Sequence, residues 1–502
     1  MTDRRTNFLG IDVGTSGTRV VIINDQGNVI GSSSEEHIPF FSPQPGWAEQ
    51  NPQDWWRACT ICLRKLLQSP KVRAEDIVSI GLSGQMHGAV LLDSSHEVVR
   101  PAIIWCDQRS DAQCAELSEL CGSEALIRLT CNRPLTNFTL TKLLWVRKNE
   151  PTNWNRIRHL LLPKDYVRFC LTGEQATDVA DASGTLLLDV ANRCWSATVS
   201  ARTDIDSRML PILYESEQVC GRVSAKGSAA TGLRVGTPVI AGAGDQAAGA
   251  VGMGITKVGA VSATIGTSGV VFAATDYPAL DAKGRLHTFC HAIPKRWHVM
   301  GVTQAAGMSL RWFRDQFTGK EFRNGDGYEL LAKEASTVPA GSGGLFWLPY
   351  LMGERTPHLD PTARAALIGL SASHGRPHVV RAIMEGVAFS LKDTFTILDE
   401  MKIPVSSVRL GGGGARSPLW RQIQADVYGH EVEILEAEEG AAYGAAILAG
   451  TGAGAWASVD KACEKVIRCV SRITPNPLDS AKMQGAYSVY RQIYPALHQL
   501  FR

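Results

Sequence analysis

Short apolar runs closed by Gly, Asn and Asp alternate along this chain with longer stretches in which apolar residues recur at i, i+3 and i+4. The first kind reads as strand and the second as helix. Asn7–Asp12 is the opening strand, Val13–Thr18 a turn and Arg19–Ile23 a second strand. Asn24-Asp25-Gln26-Gly27 predicts a hairpin turn, because these residues tolerate positive φ, and a third strand starts at Asn28. The chain thus opens with a β-meander and not with a strand–loop–helix unit. After a Pro-rich loop over Phe40–Gly46, Asn51 is placed to cap a helix that begins at Pro52. Its apolar face is Trp55, Trp56, Cys59, Cys62, Leu63, Leu66 and Leu67.

Ile77–Leu82 predicts a strand that runs into Ser83-Gly84-Gln85-Met86-His87-Gly88, and Ala89–Leu92 and Ala102–Trp105 predict two more. Residues 110–175 read mainly as helices and loops. Pro238–Ala241 is a buried strand entering the turn Gly242-Ala243-Gly244-Asp245-Gln246, and Ala247–Met253 suits a closely packed helix of small residues. Strands follow at Ala260–Ile265 and Val270–Ala273, then a long helix over residues 376–400 and a strand at Val408–Leu410. A helix over Pro418–Tyr428 and a small-residue helix starting at Gly440 complete the pattern. The alternation predicts an α/β architecture.

Within this pattern one tetrapeptide occurs twice. Gly14-Thr15-Ser16-Gly17 and Gly266-Thr267-Ser268-Gly269 each lie between two apolar strands. The economical reading is two related domains, 1–244 and 245–502, each opening with a hairpin whose tip faces a common cleft. A length of 502 residues accommodates this, and such a chain needs no disulfides or metals to bury a core. A net charge of +2 points to neither a nucleic-acid binder nor a polyanionic surface. No apolar block is long enough to span a membrane; even Ala241–Val270 holds Asp245 and Lys257. Met1–Gly10 lacks the apolar run of a leader, and the twelve cysteines form no paired framework. Cys59 and Cys62 fall on the apolar helix face and read as core. These features lead us to expect a reducing cytoplasm.

The 48 glycines exceed the usual ~7% and suggest tight backbone turns. Turns of Gly with Thr or Ser point N–H groups and hydroxyls one way, which suits phosphate oxygens. Gly411–Gly414 follows a strand and precedes a helix, so it lets a flat ligand approach the backbone or is a flexible loop. There is no GxxxxGK[ST] and no GxGxxG after the first strand, which excludes a P-loop and disfavours a dinucleotide fold. Asp12 and Asp245 end strands in the two halves; either could carry Mg²⁺ or serve as general base. The Gln85-Met86-His87-Gly88 loop is either structural or a set of groups for a hydroxylated substrate, and Trp47 is either core or a wall of that pocket.

Several stretches together resemble the FGGY family of carbohydrate kinases over nearly the whole chain. They are GIDVGTSGTR, GWAEQNPQDWW, LSGQMHGAVLLD, LLPKDYVRFCLTGE, AGAGDQAAGAVG, ATIGTSG, LPYLMGERTP and GGGGARSPLWRQIQADV. The resemblance implies two actin-like, ribonuclease H-like ATPase domains about a cleft, with ATP and Mg²⁺ as cofactors and a small sugar as partner, in a monomer or homodimer. QMHG, WxEQ and the GERTP loop are most similar to members that phosphorylate D-xylulose at O5. The implied reaction is therefore D-xylulose to D-xylulose 5-phosphate; another ketose, a polyol or a noncatalytic nucleotide-gated module is the alternative. By the same resemblance Asp245 is the general base, and Asp12 lies beside the reacting groups and the metal. Met86, His87, Gln85, Trp47 and Gln246 face the sugar. Thr15, Ser16 and Arg19 form the first phosphate hairpin, Gly266 and Thr267 the second, and Gly307, Gly412, Gly413 and Ser417 line the nucleotide. Gln246 stands where D-xylulose-phosphorylating members commonly have Asn, and glycerol kinases share the Gln.

Overall fold

A computed structural model describes residues 6–323, 326–436 and 440–501. Residues 1–5, part of the stretch read for a leader, lie outside the described residues.

The opening meander forms as its turn residues require. Strand Asn7–Val13 pairs antiparallel with Gly17–Asn24, which pairs antiparallel with Val29–Glu36. At the second turn Gly27 donates its N–H to the Asn24 carbonyl and takes φ +79°. On its other side, Asn7–Val13 runs parallel to Ile77–Gly84, and Pro238–Ile240 and Val219–Arg222 complete the row. The helix Pro52–Leu67 covers one face of this sheet. Asn51 accepts from the Gln53 N–H at its start, and Trp55, Cys59, Cys62 and Leu63 are buried against the strands.

The second half repeats the plan. Ala260–Ile265 pairs antiparallel with Gly269–Thr275 and parallel with Ser407–Gly411. Its seven-stranded sheet runs His287–Cys290, Trp297–Thr303, Gly269–Thr275, Ala260–Ile265, Ser407–Gly411, Val432–Leu435, Cys469–Ile473. In both sheets an antiparallel hairpin is followed by parallel neighbours, the ribonuclease H-like order. The helix Arg376–Glu400 spans the expected residues and buries Ile383, Met384, Val387 and Leu391 in the core of this half.

Two expectations change. Ala102–Trp105 shrinks to the two-residue strand Ala102–Ile103, because the chain turns there: the Asp107 N–H closes onto the Ile104 carbonyl, and the Asp107 carboxylate takes the Ala48 N–H that would have continued the ladder. Asp245 and Gln246, expected in a turn, are the first residues of the helix Asp245–Gly252.

The helix Gly440–Gly452 joins the halves. It lies on the first sheet although it is late in the chain, and packs beside the helix Asp245–Gly252. The approach is backbone to backbone. A Cβ on Gly10 would run into the Ala442 carbonyl, one on Gly81 into the Ala445 carbonyl and one on Gly444 into the Ala248 carbonyl. Ala247, Ala248, Val251, Ala446 and Ile447 fill the remaining space with Phe8 and Ile240 of the sheet.

Overpacking such a contact costs typically ~1–3 kcal/mol and more where backbone must move. Gly444→Val is therefore expected to lower unfolding stability by about 3 kcal/mol or more in urea titration. A loss below about 0.5 kcal/mol would contradict this packing.

Candidate active site

The acid pair is set by strand register. Asn7–Val13 pairs with Ile77–Gly84 so that Asp12 lies opposite Ser83 and Val13 opposite Gly84. The short strand Ala243–Gly244 pairs with the other edge of Ile77–Gly84, with Ala243 opposite Ser83 and Gly244 opposite Gly84. Three strand ends therefore finish level, which brings Asp12 and Asp245, 233 residues apart in the chain (245 − 12), to one end of the sheet. Burial lifts the Asp12 carboxyl to about 6, against the pull of Arg19. Burial lifts Asp245 to about 7, and the neighbouring Asp12 charge adds to it. The Asp12 Oδ1 is buried with no hydrogen-bond partner among the described residues.

The loop after Ile77–Gly84 divides its work. Gln85, expected at the sugar, has its amide taken up by the first hairpin. Its Nε2 donates to the Gly14 carbonyl at 3.3 Å and to Gln50 Oε1 at 2.9 Å, and its Oε1 faces the Thr15 hydroxyl at 3.4 Å. Trp105 Nε1 donates to the same hydroxyl at 2.9 Å. Gln85 thus braces the hairpin. Ser16 and Arg19 of that hairpin are exposed.

Met86 and His87 are buried beside the acid row. A Cβ on Gly244 would fall 2.8 Å from Met86 Cγ and 3.4 Å from Asp181 Oδ1, so both groups lie against the residue preceding Asp245. His87 takes φ +69°. Its Nδ1 is 2.7 Å from the Gly184 carbonyl. A carbonyl only accepts, so Nδ1 carries the hydrogen and Nε2 is left as an acceptor. Burial holds the ring neutral, with its pKa lowered to about 3. Lys142 fixes the loop by donating to the His87 carbonyl at 2.8 Å, and Phe138 packs against the ring. Trp47 is half-buried, with the Arg109 guanidinium 3.8 Å above its ring and Trp145 at its edge. Gln246 is half-buried on the first turn of its helix, next to Asp245.

The nucleotide candidates gather elsewhere. Gly266, Thr267, Gly307, Gly413 and Ser417 line one cavity of about 700 Å³ in the second half. Thr15, Ser16 and Arg19 are not in its wall. The second hairpin is tied to the start of the helix Gly307–Phe317: the Gly307 N–H donates to the Gly266 carbonyl at 2.8 Å, and the Ala306 and Met308 N–H groups donate to that of Thr267. These bonds occupy the first N–H groups of the helix, so what the helix start offers an anion is its positive dipole end. Ser417 caps the helix Pro418–Tyr428 through the Trp420 N–H at 3.3 Å. In the glycine run the roles separate. A Cβ on Gly412 would meet the Ile265 carbonyl at 2.6 Å, and one on Gly414 would meet Ile265 Cβ at 2.6 Å. Those two glycines serve packing, so Gly412 shapes the wall without lining it. Gly413 has only one atom within reach, at 3.8 Å, and borders the cavity.

Several site residues had no signature in the sequence. Tyr328, Met384 and Trp420 wall the cavity from three separate helices. Lys164, Asp165, Asp178 and Asp181 form a buried cluster beneath the acid row, and Glu354 holds the Gln304 N–H and the Thr303 hydroxyl. LLPKDY and GERTP contain three of these residues, but nothing local shows where they point. A cleft of about 820 Å³ lined by Lys392, His430 and Arg491 includes none of the site residues.

Two ribonuclease H-like sheets, an acid pair at the end of one and an anion-ready cavity against the other define a two-domain phosphotransferase. The chain belongs to the FGGY family of carbohydrate kinases: residues 7–252 match its N-terminal domain and residues 261–453 its C-terminal domain. It is a sugar kinase that transfers phosphate to an alcohol, and the family implies ATP as donor. It is 40% identical to the xylulose kinase of Bacillus subtilis (strain 168) over 486 residues, 97% of this chain and 96% of that protein. The xylulose kinase of Escherichia coli (strain K12) is 37% identical over 98% of both chains. The crystal structure of xylulose kinase from Rhodospirillum rubrum superposes with a TM-score of 0.89 at 31% identity, covering 99% of each chain. Among the described residues no helix is long and apolar enough to cross a membrane.

Gly413→Val places two methyl groups in the cavity without meeting the backbone. ATP affinity measured by calorimetry is expected to fall at least about tenfold, a cost of ~1.4 kcal/mol, while the melting temperature holds. Unchanged affinity would remove this cavity as the nucleotide site.

Proposed function

We propose that this chain transfers the γ-phosphoryl group of ATP to O5 of D-xylulose. Asp245 carries the reading: it stands at the end of the acid row, next to the Gly244 that Met86 lies against, in a chain alike over nearly its full length to proteins named xylulose kinase. The ionised carboxylate accepts the proton of the O5 hydroxyl as the new P–O bond forms and the bond to the β-phosphate oxygen breaks. His87 Nε2 accepts a hydrogen bond from a second sugar hydroxyl. Gly266, Thr267, Gly307 and Gly413 hold the nucleotide, and Thr15, Ser16 and Arg19 meet its phosphates from the first half. Phosphoryl transfer has a loose transition state, so positioning and charge stabilisation contribute more than proton removal.

Mg²⁺ fits the acid row. The unpartnered Asp12 Oδ1 is a hard oxygen donor. That suits an ion held by one or two carboxylates together with substrate phosphates. Bound there, it would neutralise charge on the phosphates. The boundary between the halves is taken at residue 244, and the free cysteines fit a reducing cytoplasm.

ATP consumption over a panel of ketoses, polyols and glycerol tests the acceptor, with Gln246 as the reason to include the polyols. D-xylulose is expected to give the highest kcat/KM; a preference for glycerol or another ketose would overturn the assignment. Asp245→Asn is expected to cut kcat at least ~100-fold with little change in ATP affinity. Retention of more than about a tenth of the rate would remove Asp245 as base. Its raised pKa sets the sign of the pH dependence. The base form is lost as pH falls, so kcat should decline below about pH 7.

A further inference from the structure

Beneath the acid row lies a closed set of charges that the reaction above does not use. Lys164 Nζ is 2.5 Å from Asp165 Oδ1, 2.7 Å from Asp178 Oδ1 and 3.5 Å from Asp181 Oδ2. Arg168 reaches Asp165 Oδ1 at 2.8 Å. All five side chains are fully buried. Two cations face three carboxylates, so the set carries one negative charge too many if every acid is ionised.

The three acids are not equally served. Asp165 is shared by both cations, which hold it below the usual carboxylate range against the effect of burial. Asp178 caps the turn that follows it, accepting from the Ala180 N–H at 2.8 Å and the Asp181 N–H at 3.2 Å, and it also takes the Ser216 hydroxyl at 3.2 Å. Burial lifts Asp178, with Lys164 pulling the other way. Neither oxygen of Asp181 has a hydrogen-bond partner among the described residues. Burial pushes Asp181 well above the usual range, against the pull of Lys164, and Asp165, Asp178 and Asp245 all add to the effect. The remaining charges nearby are matched or neutral. Arg193, on the Asp178 side, is held by Glu215 at 2.5 Å, and the buried Cys290 thiol is pushed up by burial.

We propose that Asp181 is a positioning residue for Asp245: it holds a proton of its own, and so leaves Asp245 as the carboxylate that ionises at the sugar. Two cations then balance two ionised acids, and the group lying against Gly244 is neutral. An ionised Asp181 would add a third negative charge beside Asp245 and Asp12, and buried like charges disfavour each other's ionisation. Asp245 would then hold its proton more tightly and serve less well as an acceptor.

The proposal rests on Asp245 being the base, but its central claim is read without turnover. Infrared spectra of the full chain carrying isotope-labelled aspartate are recorded at neutral pH. The wild type is expected to show protonated-carboxyl absorption of which one component is lost in Asp181→Asn and retained in Asp245→Asn. In kinetics, the acid limb of the kcat–pH profile of Asp181→Asn should lie within about 0.3 unit of the wild type, since the amide reproduces a neutral acid. Lys164→Gln removes a balancing cation and should move that limb up by about one unit or more. If Lys164→Gln does not fold, the infrared measurement still decides. A spectrum unchanged by Asp181→Asn, or an acid limb moved down by about a unit in that variant, would show Asp181 ionised and overturn the proposal. An active Asp245→Asn would instead overturn the base assignment and leave that infrared component as the test of Asp181.

Discussion

The close approach of the helix Gly440–Gly452 to the first sheet is the constraint on which the rest of the molecule depends. Gly10 and Gly81 lie on adjacent strands, and both must lack side chains for the helix carbonyls to come so near. Gly444 admits the helix Asp245–Gly252 on the same terms. That second helix begins with Asp245, so the contact that joins the halves also fixes the position of the acid. A larger residue at any of these glycines would shift the Asp245 helix against the strand that carries Asp12.

Seen from the site, the same closeness creates its electrostatics. Small residues pack without gaps for water, and carboxyls set in such surroundings hold their protons more tightly. Asp12 and Asp245 are both raised, chiefly by burial. His87 is buried too and stays neutral, which preserves an acceptor where a cation would have offered only donors. The proton-handling groups thus gather, only partly exposed, at one end of the first sheet. The second half supplies an open cavity with a helix N-terminus at its edge.

Much of this was legible in the residues, because periodicity and turn chemistry are local properties. The hairpins around the two Gly-Thr-Ser-Gly turns and the helix Arg376–Glu400 follow directly from such patterns. Asp245 stood out as an acid in a glycine-rich run after a strand. What could not be read depends on tertiary geometry. Gln85 looked like a sugar ligand by its place in the loop, yet its amide is turned to the Gly14 carbonyl and to Gln50. Gly412, Gly413 and Gly414 look alike in sequence, yet Gly412 and Gly414 pack on Ile265 while Gly413 and Gly414 border the cavity. The Lys164 cluster joins residues from a helix, a short strand and a turn, so no spacing rule could have assembled it.

The late position of the sheet-covering helix also bears on how the chain is made. Asp12 and its strand leave the ribosome more than four hundred residues ahead of residues 440–452. Until they emerge, one face of the first sheet has no cover, although its hairpins can already pair. Domains usually fold in order of synthesis, but here the leading half cannot finish alone. Its closure spans more than four hundred residues of chain, a long-range contact that is slow to form. A nascent or prematurely terminated chain therefore presents a bare glycine-lined sheet face to its surroundings, and a chaperone that shields this face would act late in synthesis.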